Sequence, residues 1–159
     1  MKTPVALSRF MAVGVIALVL PGCEGQRGRE ADDPNIEKLV LPVSACDPGL
    51  ATCVQDMPEG GRLTVDFSVR SPQALQPFIV RAAPEPAEEV RAVRLDLSGV
   101  EMDIGVIHHD LARDAAGHYQ GEVVLPICVT GSMQWRVDVI VENDRGRVIT
   151  PLHFSNGLP

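Results

Sequence analysis

MQWRVDVIVEN, residues 133–143, shows the clearest alternation in the chain: Met133, Trp135, Val137, Val139 and Val141 fall on one side, Gln134, Arg136, Asp138 and Glu142 on the other. A period of two sustained over this length is the pattern of a strand with one face in a core and the other in water. Trp135 is the chain's single tryptophan. It lands on the apolar face, where a buried aromatic removes roughly 150–250 Å² from water.

The same period recurs on both sides of this stretch. RLTVDFSVR, residues 62–70, sets Leu63, Val65, Phe67 and Val69 against Thr64, Asp66 and Ser68, and VRAVRLDLS, residues 90–98, sets Val93, Leu95 and Leu97 against Arg94, Asp96 and Ser98. HYQGEVVLPI, residues 118–127, and RVITPLHF, residues 147–154, continue the series, the latter after the turn signal NDRG. PFIVRA, residues 77–82, is a shorter strand candidate behind Pro72 and Pro77, and IGVIHHDLA, residues 104–112, is a less regular one. PEPAEEVRAVRLDL, residues 84–97, contains good helix formers, but the alternation beyond Val90 limits a helix there to about one turn. IEKLVLPVSA, residues 36–45, reads as an extended edge segment, because Pro42 would interrupt a central strand. These strands, separated by Gly, Pro and Asp turns, predict an all-β fold: an immunoglobulin-like antiparallel β-sandwich of about seven strands over residues 38–159.

The chain has 159 residues, enough for one such domain and its appendages. Lys2 and Arg9 precede the apolar run FMAVGVIALVLPG, residues 10–22, which is short for a bilayer span and reads as a signal peptide over residues 1–22. Leu20, Gly22 and Cys23 resemble the lipobox of bacterial lipoproteins, with Pro21 departing from the usual small residue. The resemblance implies that Cys23 is acylated and becomes the first residue of the processed chain, so that lipid anchors the domain without a transmembrane helix. An ordinary secreted protein cut near Gly22 is the other reading. Glu24 stands where an aspartate would resemble an inner-membrane retention signal, which favours the outer membrane and a periplasm-facing domain. Residues 23–37, beginning EGQRGREADDP after Cys23, carry too little apolar surface to order themselves and read as a flexible tether.

Removing Lys2 and Arg9 from 14 basic residues leaves 12, against 21 acidic ones. Nucleic acid is a poor partner for that balance. The sequence contains no His-Glu-x-x-His, no Gly-x-Ser-x-Gly and no glycine-rich phosphate loop, and it is not read as an enzyme.

Three cysteines remain beside Cys23. Cys46 and Cys53 enclose DPGLAT, whose Pro48-Gly49 fits the centre of a type II turn, so a local disulfide is the plainer reading, with a metal-binding or redox dithiol as the other. Cys128 is then a spare thiol, unless it pairs with Cys46 or Cys53 instead. If successive connections reverse direction, the turn at 98–104 and the turn at 127–133 open at the same end of the domain. That end would gather Cys128, Met133 and Met102, a soft donor set suited to Cu(I), with the face of Trp135 able to cover the ion and His108 able to add an imidazole. The bland reading of the same residues is core filler, since methionine and buried cysteine commonly play that part.

GVEMDIG, residues 99–105, followed by GHYQGEVVLPICVTGSMQWRVDVIVE, residues 117–142, resembles the FixH-like and YtkA-like envelope domains, over roughly residues 60–155. The likeness lies in Gly117-x-Tyr119 and Gly131-x-Met133-x-Trp135. Met102 before Asp103-Ile104-Gly105 is similar to the Met-x-Met-Gly of some copper-associated members, with Ile104 in place of the second methionine. The resemblance implies an immunoglobulin-type sandwich, copper handling, and a copper chaperone or respiratory complex as partner. A non-metal structural or protein-interaction lipoprotein of the envelope is the alternative.

Overall fold

The computed structural model describes residues 37–127 and 133–156. The leader, Cys23 and nearly all of the tether therefore lie outside the described residues, as does Cys128. Nine strands follow in order: β1 Lys38–Val40, β2 Cys53–Asp56, β3 Arg62–Phe67, β4 Phe78–Glu85, β5 Val90–Gly99, β6 Ile107–Arg113, β7 Tyr119–Val123, β8 Gln134–Asn143 and β9 Gly146–Ser155. The all-β expectation holds, and only short 3-10 turns, Pro58–Gly60 and Ala87–Glu89, interrupt the strands.

The strands form one sheet in the order β1-β9-β8-β5-β6-β7-β4-β3-β2. Two details differ from the expected seven antiparallel strands. Two short edge strands flank the seven: β1, within the segment 36–45 read as an extended edge, and β2, which is too brief to show an alternation. And β1 runs parallel to β9, with Lys38 opposite Arg147 and Val40 opposite Ile149, so the sheet is mixed. β7 also stops at Val123, before the Pro126 that cannot donate to a ladder.

The sheet curls because β6 changes partners along its length. Ile107–Leu111 pair with β5, while Ala112 and Arg113 pair with β7. One half of the sheet thus faces the other, and an aromatic line joins them. Trp135 stacks on its cross-strand neighbour Phe154 at 6.5 Å, Phe154 meets Phe67 edge-on at 5.1 Å, and Phe67 tilts against Phe78 at 5.1 Å. Offset and edge-to-face pairs of this kind add to simple area burial. Leu63, Val80, Leu95, Val137, Val139 and Leu152 complete a fully buried interior. Tyr119 on β7 donates its hydroxyl to the Val90 carbonyl at 3.0 Å, a second tie between the halves that leaves neither buried group unpaired.

Cys46 and Cys53 form a disulfide with Cα atoms 5.7 Å apart. It fastens the edge strand β2 to the turn before it, where Asp47 accepts the Gly49 N–H at 2.7 Å. The dithiol readings of this pair, and its pairing with Cys128, are thereby set aside.

Candidate functional site

Strand directions place the connections 41–52, 68–77 and 100–106, the segment 124–127 after β7, and Met133 before β8 at one end of the domain, here called the loop end. Of the residues singled out for their sulfurs, Met102 and Met133 come together there, while Cys128 lies outside the described residues. Gly99 pairs with Trp135 at the last step of the β5–β8 ladder, the Val100 N–H donates to the Gln134 carbonyl at 3.0 Å, and the Gln134 N–H donates to Glu101 Oε2 at 3.2 Å. The loop then folds back so closely that a Cβ on Gly99 would lie 2.4 Å from the Met102 carbonyl oxygen and 3.4 Å from Met133 Sδ. Glycine is required by this approach, and it brings the Met102 backbone and the Met133 thioether to the same spot.

The remaining residues of the predicted set are placed differently. Met133 is 3% exposed and Trp135 1%, so both belong to the core, and one face of the indole is covered by Phe154. Met102 is half-buried against the core. The indole N–H of Trp135 has no acceptor among the described residues. His108 lies on the outer face of the sheet, opposite Asp96, whose Oδ1 is 2.7 Å from His108 Nδ1. Its neighbour His109 shares the inward face with Leu95 and Val139, half-buried, its Nε2 without a partner among the described residues. The register of His109 opposite Leu95 is the signal that separates the two histidines; alternation alone leaves open which one faces inward. Among the described residues, no three His, Cys, Asp or Glu side chains gather as a metal site.

At the opposite end a cleft of about 280 Å³ opens between the halves of the sheet. Leu39, Met57, Pro84, Val90, Val141 and Val148 supply its apolar walls, and Glu37, Glu59, Glu85 and Glu89 its carboxylates. Arg145, in the β8–β9 turn, forms ion pairs with Glu59 and Glu89. Arg147, 4% exposed, is held by Glu142 at 3.0 Å. Sequence reading missed this cleft, because its walls come from four separate stretches, 37–39, 57–61, 84–90 and 141–148, and carry no motif.

No protein-family model and no curated protein matches the chain. Among solved structures it is similar to the crystal structure of an engineered protein determined at 1.98 Å by the Northeast Structural Genomics Consortium, with 15% identity and a TM-score of 0.45. That match covers 64% of this chain and 21% of the other, so the chain spans about a fifth of that protein's length. A likeness of this size carries no argument about function. No helix among the described residues is long and apolar enough to cross a membrane.

Proposed function

We propose that this chain is a lipid-anchored protein of the bacterial envelope, facing the periplasm, whose immunoglobulin-like domain is a non-enzymatic interaction module. The observation that carries this reading is the contrast between the two ends. Leu50, Leu75, Val100, Val106, Val124 and Ile127 are all exposed around the loop end, Leu75 and Ile127 by 62% and 70%, while the described turns of the opposite end contribute none of the exposed large hydrophobics and Leu39, on β1 beside the cleft there, is 45% exposed. The loops carrying them are tied side by side, since the Leu75 N–H donates to the Leu125 carbonyl at 2.9 Å and the Ser71 N–H to the Gly49 carbonyl at 2.7 Å. Gathered apolar surface on a folded domain marks a place where something binds. A photocrosslinker at Ile127 or Leu75 of the anchored protein, in its own envelope, is expected to capture a protein adduct that one at Asp144 does not. Equal capture at both ends, or none, removes the interaction reading. Metabolic labelling with an alkyne fatty acid tests the anchor: a wild-type chain that takes up no label, or label that survives Cys23→Ser, removes it.

A second reading is favoured by the meeting of Met102 and Met133 at Gly99: the loop end binds Cu(I) through Cys128, Met133 and Met102, in the copper-handling role implied by the FixH-like and YtkA-like resemblance. Trp135 and His108 fit that site less well, one by stacking on Phe154 and the other by facing outward. Titration with Cu(I) against a competing chelator tests it. One-to-one uptake lost in both Cys128→Ser and Met133→Leu supports the metal, and uptake that is absent or indifferent to both substitutions excludes it.

A further inference from the structure

The cleft opposite the loop end has a chemistry of its own. Its volume of about 280 Å³ falls just below the roughly 300–1,000 Å³ of pockets that enclose whole small molecules, and suits one long side chain with its flanking backbone. Its walls are aliphatic. Around them stand four carboxylates against two guanidinium groups, and both guanidinium groups are already engaged, Arg147 by Glu142 and Arg145 by Glu59 and Glu89. Glu37 and Glu85 have no ion pair among the described residues, so the cleft presents unmatched negative charge over an apolar floor.

A side chain with an aliphatic stem and a cationic head complements both features at once. Arg145 shows how such a head is received, because it lies between two glutamates brought together from η-turns 58–60 and 87–89. The cleft also borders a strand edge. Glu37 and Leu39 flank Lys38 at the start of β1, the last strand of the sheet, whose side away from β9 pairs with no strand among the described residues. The backbone here is fixed by a close approach: a Cβ on Gly146, at φ +153°, would lie 2.3 Å from the Glu37 carbonyl oxygen, and the Arg147 N–H donates to that oxygen at 2.9 Å. An extended peptide along β1 would find amide partners beside the carboxylates.

We propose that this cleft recognises an arginine or lysine side chain of a partner polypeptide, the stem lying on Leu39, Met57 and Val90 and the head meeting Glu37 and Glu85. The site extends the interaction reading to the other end of the domain and stands whether or not the loop end docks.

The test is an amide-shift titration of the ¹⁵N-labelled chain from residue 23 onward with Cys23→Ser; every described residue lies within the compact unit Asp32–Pro159. The probe is N-acetyl-arginine methylamide, compared with n-butylguanidine, which keeps the single charge and lacks the backbone, and with N-acetyl-norleucine methylamide, which lacks the charge. The expected result is saturable shifts confined to Leu39, Glu85 and Gly146 and their neighbours, weaker with n-butylguanidine and absent with the norleucine compound. Glu37→Gln with Glu85→Gln should weaken binding at least fivefold, and Arg145→Gln, which frees two more carboxylates, should strengthen it. Well-dispersed spectra of all variants establish that they are folded. Shifts spread over the acidic surface, equal response to norleucine, no saturation, or indifference to the paired glutamine substitutions overturns the site; n-butylguanidine binding as tightly as the capped amino acid overturns the polypeptide partner.

Discussion

Asn156 and Met133 bond each other twice: the Met133 N–H donates to Asn156 Oδ1 at 2.6 Å, and the Asn156 N–H donates to the Met133 carbonyl at 3.2 Å. The pair extends the β8–β9 ladder one step beyond Gln134 and Ser155, with a side-chain amide replacing a backbone carbonyl. Both residues are buried, at 6% and 3% exposed. Asn156→Ala leaves a buried N–H with no acceptor and should cost about 1–3 kcal/mol. Urea unfolding measures it, as a lowered midpoint with an unchanged slope. Asn156→Asp keeps the acceptor and should cost less; an alanine variant as stable as the parent would show that this lock contributes nothing.

The fold-back at the loop end predicts a comparable effect from one methyl group. Gly99→Ala puts its Cβ against the Met102 carbonyl, a backbone atom that cannot rotate away, so the whole 100–106 loop must shift. A loss of about 1–3 kcal/mol is expected, together with changed amide shifts at Val100 and Gln134, whose bond closes the loop. Unchanged shifts would mean that the loop does not lie against β5.

Reduction of Cys46–Cys53 should lower stability by about 2–3 kcal/mol, the loop-closure entropy for a separation of seven residues. The effect is local in its consequences. Among the described residues β2 pairs with β3 alone, so hydrogen exchange at Cys53–Asp56 should accelerate on reduction more than exchange in β8, which has a neighbour on each side. Uniform acceleration across both strands would refute that ordering.

Asp66 gives a pH dependence with a definite sign. Burial pushes its carboxyl upward, but hydrogen bonds from Thr52 and Arg70 and the charges of Arg70 and Arg81 outweigh it, and the group is held below its ordinary value. A folded-state value depressed below the unfolded one of about 4 stabilises the protein fully above that pH, and the stabilisation is lost as pH falls through the folded value. Asp66→Asn should therefore lower stability at neutral pH and make the decline below about pH 4 shallower. Parallel stability curves for the two proteins would contradict this.

How far the sequence could be read depended on the length of each pattern. In β8, alternation interrupted at Ile140 specified strand and inward face, and the structure places Trp135, Val137, Val139 and Val141 where alternation puts them. The three residues of β1 and four of β2 carry no such pattern, and both strands exist because a neighbour offers them an edge. The local disulfide was legible because a two-residue turn brings cysteines seven apart within reach. The cleft was not, since Glu37, Glu59, Glu85 and Arg145 share no local rule.

Period, turn chemistry and cysteine spacing are short-range properties, and through them the chain by itself determined an all-β domain, its inward residues and its one local crosslink. Which strands become neighbours depends on where β6 leaves β5 for β7, a matter of packing between distant segments. That step decided the curl of the sheet, which of His108 and His109 turns outward, and the gathering of carboxylates around an apolar cleft.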